Sequence, residues 1–374
     1  MAGRARAAPS HSSRDRDVTP GLRIVEVSGS PRELGRAHGE EMRSTIAEGL
    51  QRWLGVIAGE TGRSGEDYVA SFLGSTEFLP AITTHTPDSL EEVRGIAEGA
   101  RQSFDVMLAY QLMDEEWWYR DSLVRSRRAS VHACSAVGIR RVRGPSVVAQ
   151  NMDLPSHYDG TQVLLRLRPT GGAETMVFTP SGILGTTGLN QDGVAVCCNA
   201  LPHLRHRTSG LPVGFVIRGL LAERTLADAV AVLQAVPHAT GQNYLVGEPG
   251  AMRDFECSPG QVTEVKPSGS LIKHTNHPLA NEDIDPEEAV DAEFRSTTRS
   301  RLAKLESELS GLGAKATVDD VARTLSDREV PVSVPRGSDW MTLGSLIMEL
   351  SSDPVLHIAP GPPADTPYSE VRFS

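Results

Sequence analysis

The spacing of apolar residues changes character once along this chain, near residue 133, and that change limits the folds open to it. Before it, Leu34, His38, Met42, Ile46, Leu50, Leu54 and Ile57 recur at helical intervals. Val93, Ile96 and Ala100 form a second series, and 104–118 continues it. Ser30-Pro-Arg-Glu33 reads as a capping box with proline at the first helical position, and Ser89-Leu-Glu-Glu92 as another. Only 23–29 alternates like a strand in this part. After residue 133 the pattern predicts strands over 134–139, 146–153, 161–168, 175–179, 193–201, 244–246, 252–257, 262–266 and 271–274. Gly144-Pro145, Gly171-Gly172 and Asp192-Gly193 supply turns. Helices return over 214–236, 296–309 and 318–325, and strands over 343–350 and 355–358 close the chain. There is no internal repeat. Runs of strands and runs of helices, rather than strict alternation, predict an α+β domain in layers.

Composition narrows the function classes. A net charge of −11 over 374 residues argues against a nucleic-acid surface. No long apolar run is present, so no membrane partner is expected. Residues 1–17 are rich in Arg, Ala and Ser with no apolar stretch after the charges. The expectation is a disordered tail over 1–20 without a secretory signal. The acidic run 281–288 reads as a solvated loop. Four cysteines in so long a chain make no disulfide framework, and a cytoplasmic, reducing home fits best.

Each cysteine therefore needs its own account. Cys197 and Cys198 are adjacent on a predicted strand and point to opposite faces, so both cannot line one site. Cys257, in "FECSP", reads as structural. Cys134 differs. It opens the strand-rich part, small Ala133 leaves the preceding carbonyl open to attack, and the next strand returns antiparallel to end at Asp153. A thiol that attacks its own preceding carbonyl converts that peptide to a thioester. Water then releases a chain beginning at Cys134. Its α-amine would titrate near 7.7–8, which suits a general base near neutral pH. Nucleophile and base would then share one residue.

Six stretches carry a resemblance: "GSPRELGRAHGEEMR" (29–43), "LEEVRGIAEGA" (90–100), "ACSAVGI" (133–139), "VVAQNMDLP" (147–155), "GLNQDGVAVCCNAL" (188–201) and "HTNHPL" (274–279). In this order they resemble the penicillin acyltransferase-like family of N-terminal nucleophile hydrolases, to which bile-salt hydrolases and penicillin V acylases are more distant relatives. The resemblance implies a four-layer αββα sandwich and a precursor that cleaves itself between Ala133 and Cys134. It implies Cys134 as nucleophile, Asp153 as the carboxylate that holds the new amine, and Asn276 as an asparagine needed in the site. Asn199 matches an asparagine that resembles an oxyanion-hole donor, a class of group worth about 3–4 kcal/mol. Arg299 matches an arginine of the bile-salt hydrolase site at a different spacing. Asn243 is a candidate pocket residue, with a structural role at a strand edge as the competing reading. Relatives often carry glycine where this chain has Ala133, which implies a slower shift.

Other chemistries find less support. The H-x-x-H pairs His274/His277 and His203/His206 have no obvious third ligand, although Glu282 and Asp283 follow the first, so no metal and no cofactor is expected. Ser181-Gly182 lacks the nucleophile-elbow pattern, and no glycine cluster matches a phosphate loop. Trp53, Trp117, Trp118 and Trp340 read as core or interface residues, with Trp117 and Trp118 placed to shape a pocket. The expected protein is a self-processing amidohydrolase that cleaves an N-acyl bond through a thioester. Segments 21–133 and 134–374 would stay packed as a heterodimer within one folded domain, and the remaining partner is a small amide or acyl substrate. The first alternative is an acyltransferase that moves an acyl group from a thioester such as acyl-coenzyme A to an amine. The second is an uncleaved, inactive binding relative.

Overall fold

The computed structural model describes residues 21–124, 134–285, 292–329 and 332–374. The expected tail over 1–20 and the expected scission partner Ala133 lie outside the described residues. The strands are β1 (Arg23–Gly29), β2 (Ser135–Ile139), β3 (Ser146–Pro155), β4 (Gln162–Pro169), β5 (Thr175–Pro180), β6 (Thr187–Asn190) and β7 (Ala195–Ala200). They continue as β8 (Gln242–Glu248), β9 (Ala251–Cys257), β10 (Val262–Val265), β11 (Leu271–His274), β12 (Trp340–Leu350), β13 (Val355–Ala359) and β14 (Ser369–Arg372).

They form two sheets, one ordered β1-β4-β5-β6-β7-β8-β9-β10 and the other β11-β2-β3-β12-β13-β14. The sheets face each other through β2 and β3 against β7 and β8. The helix Pro31–Glu41 and the pair Val213–Leu221 and Leu226–Ala235 cover the first sheet, while Ala292–Leu309 and Val318–Leu325 cover the second. The result is the expected four-layer αββα sandwich. A strand covered on both faces has no solvent side, which explains why β3 is buried at every position. Val147 and Ala149 join Leu305, Leu309, Val321 and Leu325 under the outer helices, while Val148 and Met152 belong to the main core. Gln150 ties the sheets together. Its Nε2 donates to the Cys198 carbonyl and its Oε1 accepts from the Cys198 N–H.

The first part of the chain is attached to the larger sheet through β1, which pairs parallel with β4. Two of its helices, Pro31–Glu41 and Pro87–Ala100, meet at a glycine seam. A Cβ on Gly35 would stand 1.9 Å from the Glu92 carbonyl oxygen, and one on Gly95 2.1 Å from that of Arg32. Only glycine permits this approach.

Several expectations need correction. The second capping box is not a helix start: that helix begins at Pro87 behind Thr86, and Ser89 lies inside its first turn. The predicted helix over 214–236 is two helices, and Thr225 caps the second by accepting from the Asp228 N–H. The stretch 104–118 divides into Phe104–Gln111 and Met113–Leu123. Strands β6 and β14 were not expected from the sequence. Asn281, expected in a solvated loop, is buried. Among the described residues no helix is long and apolar enough to cross a membrane.

Candidate active site

Cys134 directly precedes β2, and three pieces of chain converge on it. β3 pairs antiparallel with β2, with Ser135 opposite Asn151, so Asp153 returns beside the cysteine. β11 pairs with the other edge of β2, His274 opposite Ala136, which carries Asn276 past the same point. The helix Ala292–Leu309 packs across β2 and β11 and adds Arg301.

The backbone nitrogen of Cys134 donates to Asn276 Oδ1 at 2.8 Å. Arg301 Nη2 donates to the same oxygen at 2.9 Å, and Nη1 donates to the Cys134 carbonyl and to Ser135 Oγ. Asn276 Nδ2 donates to the Ala200 carbonyl at 3.0 Å. These partners fix the amide orientation, since the oxygen faces two donors and the nitrogen an acceptor. The Asn276 N–H donates to Thr298 Oγ1, one helical turn before Arg301.

A buried ion pair steadies this loop. His274 Nε2 lies 2.7 Å from Glu256 Oε1, and His274 Nδ1 lies 2.8 Å from the Thr275 carbonyl. Acceptors at both ring nitrogens favour the imidazolium, and the Glu256 carboxylate holds the His274 pKa up against burial. Glu256 also accepts from the N–H groups of Leu279, Ala280 and Asn281.

Asp153 is buried, and its Oδ1 accepts from Thr342 Oγ1. Its Oδ2 is buried with no partner among the described residues. Thr342 sits where β12 shifts register against β3, between Thr342 and Gly344. Burial pushes Asp153 up to about 7, opposed by the Thr342 hydrogen bond and the Arg301 charge. Burial and the neighbouring Asp153 charge push the Cys134 thiol up to about 12. The thiol is therefore protonated near neutrality and acts as a nucleophile only with a base beside it.

Cys134 opens into a small pocket of about 60 Å³. Met113, Trp117, Met152, Leu154, Ile183 and Ile217 make its wall mostly apolar, and Asp114, Gln242 and Cys198 add polar atoms. Of the two adjacent cysteines, Cys198 faces this pocket and Cys197 the core, where Cys257 also lies.

The structure thus brings Asp153 and Asn276 to Cys134. Asn199 and Asn243 stand opposite each other on β7 and β8. Both Asn199 amide atoms and Asn243 Oδ1 are buried without partners among the described residues. Asn243 Nδ2 donates to Asp254 Oδ1. Arg299 is exposed and does not reach Cys134; Arg301, two positions on, is buried and makes the contacts to Cys134 and Asn276. Helical periodicity carried this signal. Leu305 and Leu309 mark the buried face, and stepping back by four and then three residues gives Arg301 and Thr298, not Arg299. Thr342, Asp114 and Gln242 had no comparable signal.

The family model for acyl-coenzyme A:6-aminopenicillanic acid acyl-transferase matches residues 141–352, a stretch that begins after Cys134 and carries Asp153, Asn199, Asn276 and Arg301. Acyl-coenzyme A:6-aminopenicillanic-acid-acyltransferase 40 kDa form of Emericella nidulans is 26% identical over 335 residues, covering 88% of this chain and 89% of that protein. Among solved structures, a mutant conjugated bile acid hydrolase from Clostridium perfringens is 10% identical, with 64% of this chain and 92% of that one covered at a TM-score of 0.43. Penicillin V acylase from Agrobacterium tumefaciens is 11% identical, with 64% and 86% covered at a TM-score of 0.37.

Proposed function

This chain belongs to the acyl-coenzyme A:6-aminopenicillanic acid acyl-transferase family, and from that premise we propose that it is a self-processing amidohydrolase whose nucleophile and base are both Cys134. In the precursor, Cys134 Sγ attacks the carbonyl carbon of Ala133 and the C–N bond breaks. The cysteine nitrogen takes a proton, and water hydrolyses the thioester to leave a carboxylate on Ala133 and an amine on Cys134. In turnover the amine takes the thiol proton, sulfur attacks the substrate carbonyl, and the ammonium returns that proton to the departing amine. Water, deprotonated by the same amine, resolves the acyl thioester.

The observation that carries this reading is the hydrogen bond from the Cys134 nitrogen to Asn276 Oδ1. It holds the one atom that would become the base. Asn276 is assigned to that task, because its Nδ2 is committed to the Ala200 carbonyl. Asp153 Oδ2, without a partner among the described residues, is the acceptor for a further amine hydrogen, and Asn199 Nδ2, a buried donor likewise without one there, is the candidate for the oxyanion. A thiol held up near 12 by burial is a further reason for a base on the same residue.

Mass spectrometry of the purified protein tests it. The expected result is two fragments, the second beginning Cys-Ser-Ala, and a single chain for Cys134→Ala. An intact wild-type chain that still turns over amides would overturn the mechanism. The acyltransferase reading stays beside it because the relative's name describes transfer from acyl-coenzyme A. Partition of the acyl-enzyme between water and millimolar amine separates the two.

A further inference from the structure

Two carboxylates line the mostly apolar pocket around Cys134: Asp153, which the proposed mechanism assigns to the freed amine, and Asp114, which that mechanism does not use. Asp114 stands in the first turn of the helix Met113–Leu123, and its charge reaches the Cys134 thiol. Among the described residues its one hydrogen-bond partner is Gln242, whose Nε2 donates to Oδ2 at 2.5 Å, and no cation pairs with it. Gln242 is itself held in place: Nε2 also donates to Thr240 Oγ1, and Oε1 accepts from Cys198 Sγ. The neighbouring Glu115 side chain reaches away from the pocket to accept from Val213 N–H and Thr240 Oγ1. The fold thus fixes a carboxylate beside Met113, Trp117 and Ile217, with no counter-charge among the described residues. Burial pushes Asp114 up to about 6, so above that pH it is an incompletely compensated anion in apolar surroundings.

A cationic ligand group would supply the partner of opposite charge that the described residues lack. In a reaction through Cys134 the acyl part stays bonded to sulfur while the amine leaves, so the slot beside the thiol suits the acyl part. At about 60 Å³ it has room for a short chain. We propose that Asp114, positioned by Gln242, binds an ammonium group on the acyl chain, so that the preferred substrates are amides of short amino-substituted acids rather than of plain alkanoic acids.

This inference rests on the amidohydrolase reading, and the experiment separates the two. The γ-aminobutyryl and pentanoyl amides of one fluorogenic amine match in length and differ in the terminal group. With processed wild-type protein, kcat/KM is expected to favour the aminobutyryl amide by about tenfold or more, a factor worth about 1.4 kcal/mol. Asp114→Asn is expected to bring the ratio to within about threefold of one. In wild type the ratio should shrink as pH falls through about 6 and Asp114 takes up a proton, and in the variant it should stay flat. A role confined to helix stability would move the melting temperature and leave the ratio alone. Equal rates for the two amides in wild type, or an undiminished ratio in Asp114→Asn, overturns this inference and leaves the hydrolase reading standing. Failure of both amides to acylate Cys134 overturns both.

Discussion

Asn276 Oδ1 accepts a hydrogen bond from the backbone nitrogen of Cys134 at 2.8 Å, across 142 positions of chain. The acceptor is immobilised from behind by Arg301 Nη2 and from the side by the Ala200 carbonyl. A nitrogen held this way has one hydrogen directed and its remaining valences constrained. Such constraint lowers the cost of using it as a base, because little reorganisation is left for the reacting step.

Arg301 should therefore act through Asn276 and the Cys134 carbonyl. Lysine keeps the charge but cannot span both acceptors with a planar fork. Arg301→Lys is expected to lower kcat about 100-fold while KM moves only a few-fold. Arg299→Ala, on the exposed face of the same helix, should change neither by more than about twofold. Steady-state kinetics of the two variants check the assignment, and the reverse ranking would move the site arginine back to residue 299.

Asp153 governs a pH dependence. Burial raises it to about 7, so its anion is present above that pH and lost below it. Beside a freed amine the two groups titrate as a pair. The kcat/KM of processed enzyme should decline on the acid side of about 7. Asp153→Asn removes the anion that favours the ammonium form, so the acid limb should move to lower pH by about one unit while the plateau falls about 100-fold. A limb that stays in place would show that Asp153 does not face the amine.

Glu115 should cost the fold stability at alkaline pH. Burial, with Asp114 beside it, raises its pKa to about 8, and its Oε2 is buried without a partner among the described residues. A folded pKa above the unfolded value of about 4.3 means that the folded state binds the extra proton, so stability falls as pH rises between the two. Glu115→Gln keeps an acceptor for Val213 and Thr240 without a charge to bury. Its advantage over wild type should grow from about pH 5 to about pH 8, by at most about 1.4 kcal/mol per unit, and then level off. Denaturant titrations at several pH values measure this.

The Glu256–His274 pair behaves differently. Glu256 is held below its ordinary value by His274 and backbone donors, so its contribution is present above about 4.3 and lost as pH falls through its folded pKa. His274 is raised, so its contribution is present below about 6.5 and lost as pH rises through its folded pKa. Glu256→Gln should cost about 3–5 kcal/mol near pH 5.5 and less at pH 9. Equal losses at the two pH values would exclude an ionic contribution from the pair.

What the sequence determined by itself was local. Period-two and helical spacing located most strands and helices, because side-chain direction follows from backbone geometry within a few residues. The approach of Asp153 to Cys134 was legible too, since one hairpin joins them and a short turn leaves few registers. Asn276 was legible only through resemblance. Tertiary structure alone decided the rest. Thr342 reaches Asp153 over 189 positions, Gln242 reaches Asp114 over 128, and Arg301 reaches Cys134 over 167. Which distant strand lies alongside β3, and which face of a helix docks on β2, are settled by burial of the whole apolar surface at once. No local rule ranks those pairings: helical spacing could set Arg301 rather than Arg299 on the buried face, but its contact with Cys134 became visible only with the layers in place.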